Sequence, residues 1–341
     1  MPNIQTNVNY QQILSMAIED RSDGYQDLVS NNNAMLAVTK RKGLWQTYEG
    51  PQIRQTLQIA KQSAQWYSGY DQLLNPAIDL FNDAFFIPKL VVVPIILSYN
   101  EILNNRGSEA QLIDVMDAYL EAAEKSLQDT MDTAIYSDGT ANGNKQLTGL
   151  ATAVPIANTT GTYGGIDRGT AIIWRTQTFD AQSFNTAIGT QVDSTRIRPF
   201  LNAIMTRQSR GRDYADLLIM SPEHYSAYDA ATVAIQRQNN ETSLGKLGFS
   251  ALEYIGGGKR AEIVLDGGIG SNMPSNTTFG LNTDSFRIRY NSGRNFDKLF
   301  DGDGMQPIDK DAIAQMIGWM GELTMTNPLF NWRFYDSNPA T

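Results

Sequence analysis

Cysteine is absent from this chain of 341 residues, and histidine occurs once, at His224. Without cysteine there are no disulfides, no thiolate nucleophile and no thiolate metal site. A histidine-activated serine would have to use His224, and no G-x-S-x-G turn accompanies any serine. A lone histidine in the first turn of a helix reads as structural. Charge is also scarce: Asp, Glu, Lys and Arg make up 18% of the chain, below the usual quarter, and the net charge is −9. That balance argues against a protein whose main work is gripping phosphate backbones. The most apolar run, Phe85 to Leu97, is interrupted by Pro88, Lys89 and Pro94 and is too short to span a bilayer. The opening Met1-Pro2-Asn3-Ile4-Gln5 has no basic n-region and no apolar h-region, so a soluble chain without a secretory signal is expected.

Nucleotide and metal motifs fail in the same way. Gly256-Gly257-Gly258-Lys259 lacks the first glycine of a P-loop and has Arg260 where Ser or Thr is needed. Asp301-Gly302-Asp303-Gly304 opens like a calcium loop but lacks the later carboxylates, so a turn is expected. Arg207, Arg210 and Arg212 are offset by Asp213 and Asp216 and read as a solvated loop. The Gly- and Thr-rich segment 145–178 matches no phosphate fingerprint and reads as short strands joined by tight turns. No enzyme constellation remains, and no cofactor or metal is expected.

What is present is periodicity. From Gly107 to Gly139, apolar residues recur at Leu112, Val115, Met116, Tyr119, Leu120, Ala123, Leu127, Met131 and Ile135. Three- and four-residue steps of this kind lay one stripe along a helix. Ser108 and Gln111 are spaced as a capping box, and Gly139 is placed to end the helix in the left-handed conformation. Such a helix is about 40 Å long, more than one compact core usually needs. Before it, residues 1–44 look unable to build a core, and Lys40-Arg41-Lys42 is the densest basic run.

Residues 45–106 then read as a long hairpin. Ile53, Gln55, Leu57 and Ile59 alternate with polar residues, and a second apolar run covers Ala84 to Ser98. Pro88 and Pro94 confine that run to an edge or to interrupted pairing. Trp66, Tyr67, Tyr70, Leu73 and Leu74 lie at the tip, where nothing in the same chain is an evident partner. Beyond the long helix, a helix is expected over about 194–208. A strand at Leu217–Met220 leads into a helix capped by Ser221-Pro222, and further strands fall at 249–255, 261–265, 277–281, 286–290 and 317–326.

The order of these elements resembles that of tailed-bacteriophage major capsid proteins of the Hong Kong 97-like fold. The stretches that carry the resemblance are Gly149-Leu150, Tyr163-Gly164-Gly165-Ile166-Asp167-Arg168, Trp174-Arg175, Asp216 to Ser221, Asn276 to Asp284, Gly318 to Leu323 and Asn327-Pro328. The resemblance implies an α+β chain with an N-terminal arm (1–44) and an E-loop hairpin (45–106). A peripheral domain (107–192) would carry the long spine helix 107–139 and the Gly-rich strands. An axial α/β domain (193–284) and returning strands of the peripheral domain with a C-terminal segment (285–341) complete it.

It further implies a non-enzymatic subunit that assembles with itself into hexamers and pentamers of an icosahedral virion capsid. Assembly would take place in the host cytoplasm, around double-stranded DNA held non-specifically. Its other partners would be a portal protein, a decoration or minor capsid protein and, because only about 44 residues precede the hairpin, either a separate scaffolding protein or, less naturally given Met1, a scaffolding segment already removed by processing. No membrane is involved. Lys40, Arg41 and Lys42 would make a weak contact with DNA or scaffold. Trp66, Tyr67, Tyr70, Leu73 and Leu74 would contact the neighbouring subunit.

Some relatives join an E-loop lysine to an asparagine with the help of a carboxylate. The candidates here are Lys61 or Lys89, Asn327 and Glu322, but nothing places Lys61 in an apolar pocket, so non-covalent clasping is expected. Two other readings are an encapsulin-like nanocompartment shell and a soluble enzyme that uses acidic residues of the long helix.

Overall fold

The computed structural model describes residues 34–58, 60, 64–73, 77, 79–100, 109–232, 251–268, 271–299 and 311–339. The short helix α1, Ala34–Arg41, comes first and runs into strand β1, Trp45–Tyr48. Between them the amides of Gly43 and Leu44 donate to the carbonyls of Lys40 and Thr39. Gly43 takes φ +66, the left-handed position that a Schellman ending requires.

The chain then forms the hairpin of β2, Ile53–Gln58, and β3, Phe81–Phe86. β2 alternates strictly between buried and exposed residues, as a strand with one covered face must. The hairpin expected over 45–106 is therefore narrower: Ile53 pairs with Phe86 and Gln58 with Phe81, while the flanking stretches join another sheet. Pro88 separates β3 from β4, Lys89–Ser98.

β4 is the edge of a four-stranded antiparallel-dominated sheet ordered β1-β12-β13-β4, where β12 is Phe286–Lys298 and β13 is Ala312–Met325. Pro94 lies opposite Met316 on this edge strand, where its missing N–H breaks no second ladder. Against the sheet lies the long helix α2, Glu109–Tyr136. Leu120, Ala123, Leu127, Met131 and Ile135 of its expected stripe are buried in the core that also holds Ile317, Trp319 and Leu323. The side chains of Leu112, Val115 and Met116, and the capping residue Ser108, lie outside what is described. At the far end Gly139 takes φ +77, as expected of a helix stop.

The Gly-rich segment contains a two-residue hairpin, β5 Thr162–Tyr163 and β6 Ile166–Asp167. Its turn is Gly164-Gly165, at φ 59 and 76, which only glycine adopts without strain. A second sheet has six strands in the order β7-β14-β11-β8-β10-β9. These are β7 Gln177–Asp180, β8 Leu217–Met220, β9 Ala251–Gly256, β10 Lys259–Leu265, β11 Thr277–Leu281 and β14 Trp332–Tyr335.

Helices α3, Ile197–Arg207, and α4, Pro222–Thr232, carry the apolar cover of one face. Phe200, Leu201 and Ile204 of α3 pack there with Leu218, Met220, Trp332 and Phe334. The opposite face, with Leu217, Ile219 and Phe279, belongs to the core shared with α2. β7 and β14 come from segments expected to lie in 107–192 and 285–341, so strands from three parts of the sequence complete the six-stranded sheet. The Asp301–Gly304 stretch falls outside the described residues.

Candidate assembly surface

The hairpin stem is anchored at its base. Phe85 donates its N–H to the Gly164 carbonyl at 2.9 Å, and Phe86 meets Tyr163 edge-on with ring centroids 5.1 Å apart. A side chain at position 164 would reach Phe86 at 2.8 Å, so the close approach requires glycine. One face, with Ile53, Leu57, Ala84 and Phe86, is buried on this base. The other presents Arg54, Thr56 and Asp83 between the exposed rings of Phe81 and Phe85. Asp83 accepts from Arg54 Nε and Thr56 Oγ1, both at 2.8 Å. The Arg54 hydrogen bond holds the Asp83 carboxyl below its ordinary range.

Away from the base, Trp66 and Tyr70 are fully exposed, at 103% and 105% of their reference areas, and so touch almost nothing in their own chain. Tyr67 and Leu73 are exposed as well. Leu74 and Lys61 lie outside the described residues. The tip is nonetheless ordered by a turn: Asp71 N–H donates to the Ser68 carbonyl at 2.9 Å. Ser68 N–H donates to Asp71 Oδ2 at 2.7 Å. The aromatics are thus displayed on a closed turn.

Beside the stem an open groove of about 1050 Å³ runs between the outer hairpin face and two tight turns, Ile172–Trp174 and Pro328–Phe330. Phe85, Ile172, Ile173 and Pro328 supply its apolar lining, and Asn327 and Asp83 stand at its polar margin. Sequence reasoning missed this groove. Ile172 and Ile173 are exposed isoleucines in a Gly/Thr-rich segment, and that contrast was the available signal.

The basic run is placed differently from the tip. Arg41 pairs with Glu262, and Lys42 Nζ lies 2.9 Å from Asp216 Oδ2 and 3.8 Å from Glu262 Oε2. Arg41 and Lys42 therefore face carboxylates of their own chain.

The groups considered for covalent linkage are also engaged internally. Lys89 Nζ donates to the Asn144 carbonyl at 2.5 Å. Asn327 Oδ1 accepts from Leu329 N–H at 3.3 Å. Glu322 is buried, with Oε1 accepting from Thr148 and Leu323 amides at 3.0 and 3.1 Å. Burial pushes the Glu322 carboxyl up to about 8.

His224 is buried against Phe334 with Nδ1 2.8 Å from Thr278 Oγ1. Burial pushes its pKa down to about 4, so the ring is neutral and structural. Among the described residues no group of three or more His, Cys, Asp or Glu side chains is arranged to hold a metal.

A projecting hairpin, a long helix beneath a four-stranded sheet, and a second sheet with helices on one face together define the Hong Kong 97-like fold. The similarity is structural. No protein-family model matches the sequence, and no curated protein is similar to it in sequence. Among solved structures, the chain is similar to that of the cyanophage A-1(L) capsid asymmetric unit, with TM-score 0.63 and 17% identity over 90% of this chain and 93% of that one. It is also similar to the capsid chain of a native GTA particle, with TM-score 0.52 and 10% identity over 87% of this chain and 89% of that one.

Proposed function

We propose that this chain is the major capsid protein of a tailed phage, assembling into hexamers and pentamers of an icosahedral shell around double-stranded DNA. The observation that carries the reading is the tip. Trp66 and Tyr70 are displayed on an ordered turn, fully exposed, at the end of a stem that borders an open groove of mixed polar and apolar lining. A monomer would have no use for this display. Head-to-tail contacts between copies bury both features and close into rings.

In this reading Trp66, Tyr67, Tyr70, Leu73 and Leu74 clasp the neighbouring subunit. Residues 45–106 form the E-loop, 107–192 and 285–341 the peripheral domain, and 193–284 the axial domain, to which β7 and β14 add strands. The role is structural, with portal and scaffolding proteins as partners and the virion as location. DNA contacts are few and non-specific, because the net charge is −9. Arg41 and Lys42 already face Asp216 and Glu262, which weakens the basic run as a contact for DNA or scaffold.

The test is assembly of the full chain with and without its tip aromatics. An aromatic side chain buries about 150–250 Å², worth on the order of 3 kcal/mol or more. Trp66→Ser with Tyr70→Ser, two such side chains, should therefore raise the concentration needed for assembly by about four orders of magnitude. Folding of the subunit should be unchanged, since both rings are fully exposed and neither has a partner among the described residues. Assembly of the double variant at wild-type concentrations refutes the clasp.

A further inference from the structure

Helix α1 joins the two sheets in a way that neither sheet needs for itself. At its C-terminal end the chain passes through Gly43 and Leu44 directly into β1, which pairs in parallel with β12 of the four-stranded sheet. Trp45 Nε1 reaches back to Thr39 Oγ1 at 3.1 Å, and Ile288 N–H donates to the Leu44 carbonyl at 3.0 Å. The helix is thus covalently part of that sheet.

Its side chains belong equally to the other one. Ala34 to Thr39 are all buried, six consecutive residues, so the helix is enclosed on every side rather than laid on a surface. Met35, Leu36 and Val38 share a core with Leu217, Ile219, Val264 and Phe279 of the six-stranded sheet and with Tyr136 at the end of α2.

Both ends are clamped by carboxylates on the six-stranded sheet. Met35 N–H donates to Asp266 Oδ2 at 3.3 Å, immediately beyond β10, and the same carboxylate accepts from the Tyr136 hydroxyl. Gly267 N–H donates to Asp266 Oδ1 at 2.9 Å. At the other end Arg41 and Lys42 meet Glu262 within β10 and Asp216 just before β8. Asp216 is itself held by Thr283 N–H at 2.7 Å. Negative charge at the N-terminus and positive charge at the C-terminus both favour the helix dipole. The helix, the end of α2 and the strand ends of β8 and β10 therefore meet at one junction.

We propose that Ala34–Arg41 is a releasable pin between the two sheets. Docked, it fixes the six-stranded sheet against the end of α2; withdrawn, it frees that sheet to change its angle while each sheet keeps its own ladder. The charge pairs at Arg41 and Lys42 are the point of release, because they are partly solvent-exposed and open to salt, whereas the apolar face is not. This inference does not depend on assembly into a shell.

Hydrogen exchange on the full chain tests it, comparing wild type with Arg41→Gln plus Lys42→Gln. Exchange should rise by about tenfold or more in peptides covering 34–44, 131–137 and 266–268 together, as expected of one cooperative sub-global opening, while 277–281, held in the ladder on both sides, keeps its rate. Peptides covering 197–207 and 312–321 should keep their wild-type rates. Wild-type protein taken from about 0.05 to 1 M salt should show the same three peptides rising, and this arm decides the question if the double variant does not fold. A rise confined to 41–44 would mean simple fraying and overturns the proposal. A uniform rise along the chain would mean that no separate unit opens, and overturns it equally.

Discussion

Glu322 offers the sharpest energetic test, because a carboxyl sits where the fold would be better served by a neutral group. It lies in β13, buried, opposite Arg289 in register and close enough to Tyr163 and Tyr48 for its charge to raise both phenols. Oε1 has its two amide donors, while Oε2 is buried without a partner among the described residues. Desolvation outweighs the two amides and the nearby Lys89 charge, and the pKa rises from 4.5 to about 8.

The folded state therefore holds a proton that the unfolded chain releases. The resulting stability is fully present below about pH 4.5 and is lost as pH rises toward about 8. Each unit within that window is worth about 1.4 kcal/mol, so the loss from pH 6 to pH 8 is on the order of 2–3 kcal/mol. Glu322→Gln copies the protonated acid, keeps an acceptor for Thr148 and Leu323, and does not ionise. Denaturant unfolding of the subunit at or below about pH 4.5 should give similar midpoints for both proteins. At pH 8 to 9 the variant should be the more stable by about 4 kcal/mol. Parallel pH profiles for the two proteins would refute the argument that desolvation governs this carboxyl.

Three further outcomes follow from the same packing. His224, with its pKa lowered from 6.5 to about 4 by burial, should make stability rise with pH across that window. His224→Gln should flatten that rise in the same unfolding titration. Gly149 lies 2.5 Å, at its would-be Cβ, from the carbonyl oxygens of Ala134 and Ile135 in the last turn of α2. Gly149→Ala should therefore destabilise by about 1–3 kcal/mol, read as a lower Tm. Finally, Lys89 and Asn327 are each engaged by local backbone groups. Assembled particles boiled in denaturant should run as a single 37.8 kDa band on a gel, and a ladder of covalent multimers would show that clasping is not purely non-covalent.

Local pattern carried much of this fold. The stripe from Leu120 to Ile135, the alternation of β2 and the edge position imposed by Pro94 are all readable because each depends on spacing within one segment. The pairing of distant segments is not. β1, Trp45–Tyr48, is four residues long, and its partner Ile288–Asn291 lies over two hundred residues away, so nothing local marks it. β3, Phe81–Phe86, takes only the first residues of the apolar run Ala84 to Ser98, and beyond Pro88 the rest of that run pairs in the other sheet. β7 and β14 are short strands whose place at one side of the six-stranded sheet is decided by Phe179, Trp332 and Phe334 packing together.

Of the candidate site, the tip aromatics were visible as residues without an evident partner, and Trp66 and Tyr70 have almost no contact in the folded chain. The groove was not visible, because its walls come from the hairpin, the Ile172 turn and the Pro328 turn, which are separated in sequence. The clamp on Arg41 and Lys42 was hidden for the same reason: Glu262 and Asp216 carry no signal of their own.

Electron microscopy of the purified full chain tests the proposed closed shell directly. Hollow particles of megadalton mass built from six-fold and five-fold rings are expected, with density from each hairpin tip seated on a neighbouring copy. A stable 37.8 kDa monomer at every concentration, with the Trp66–Leu73 tip folded back on its own chain, would contradict it.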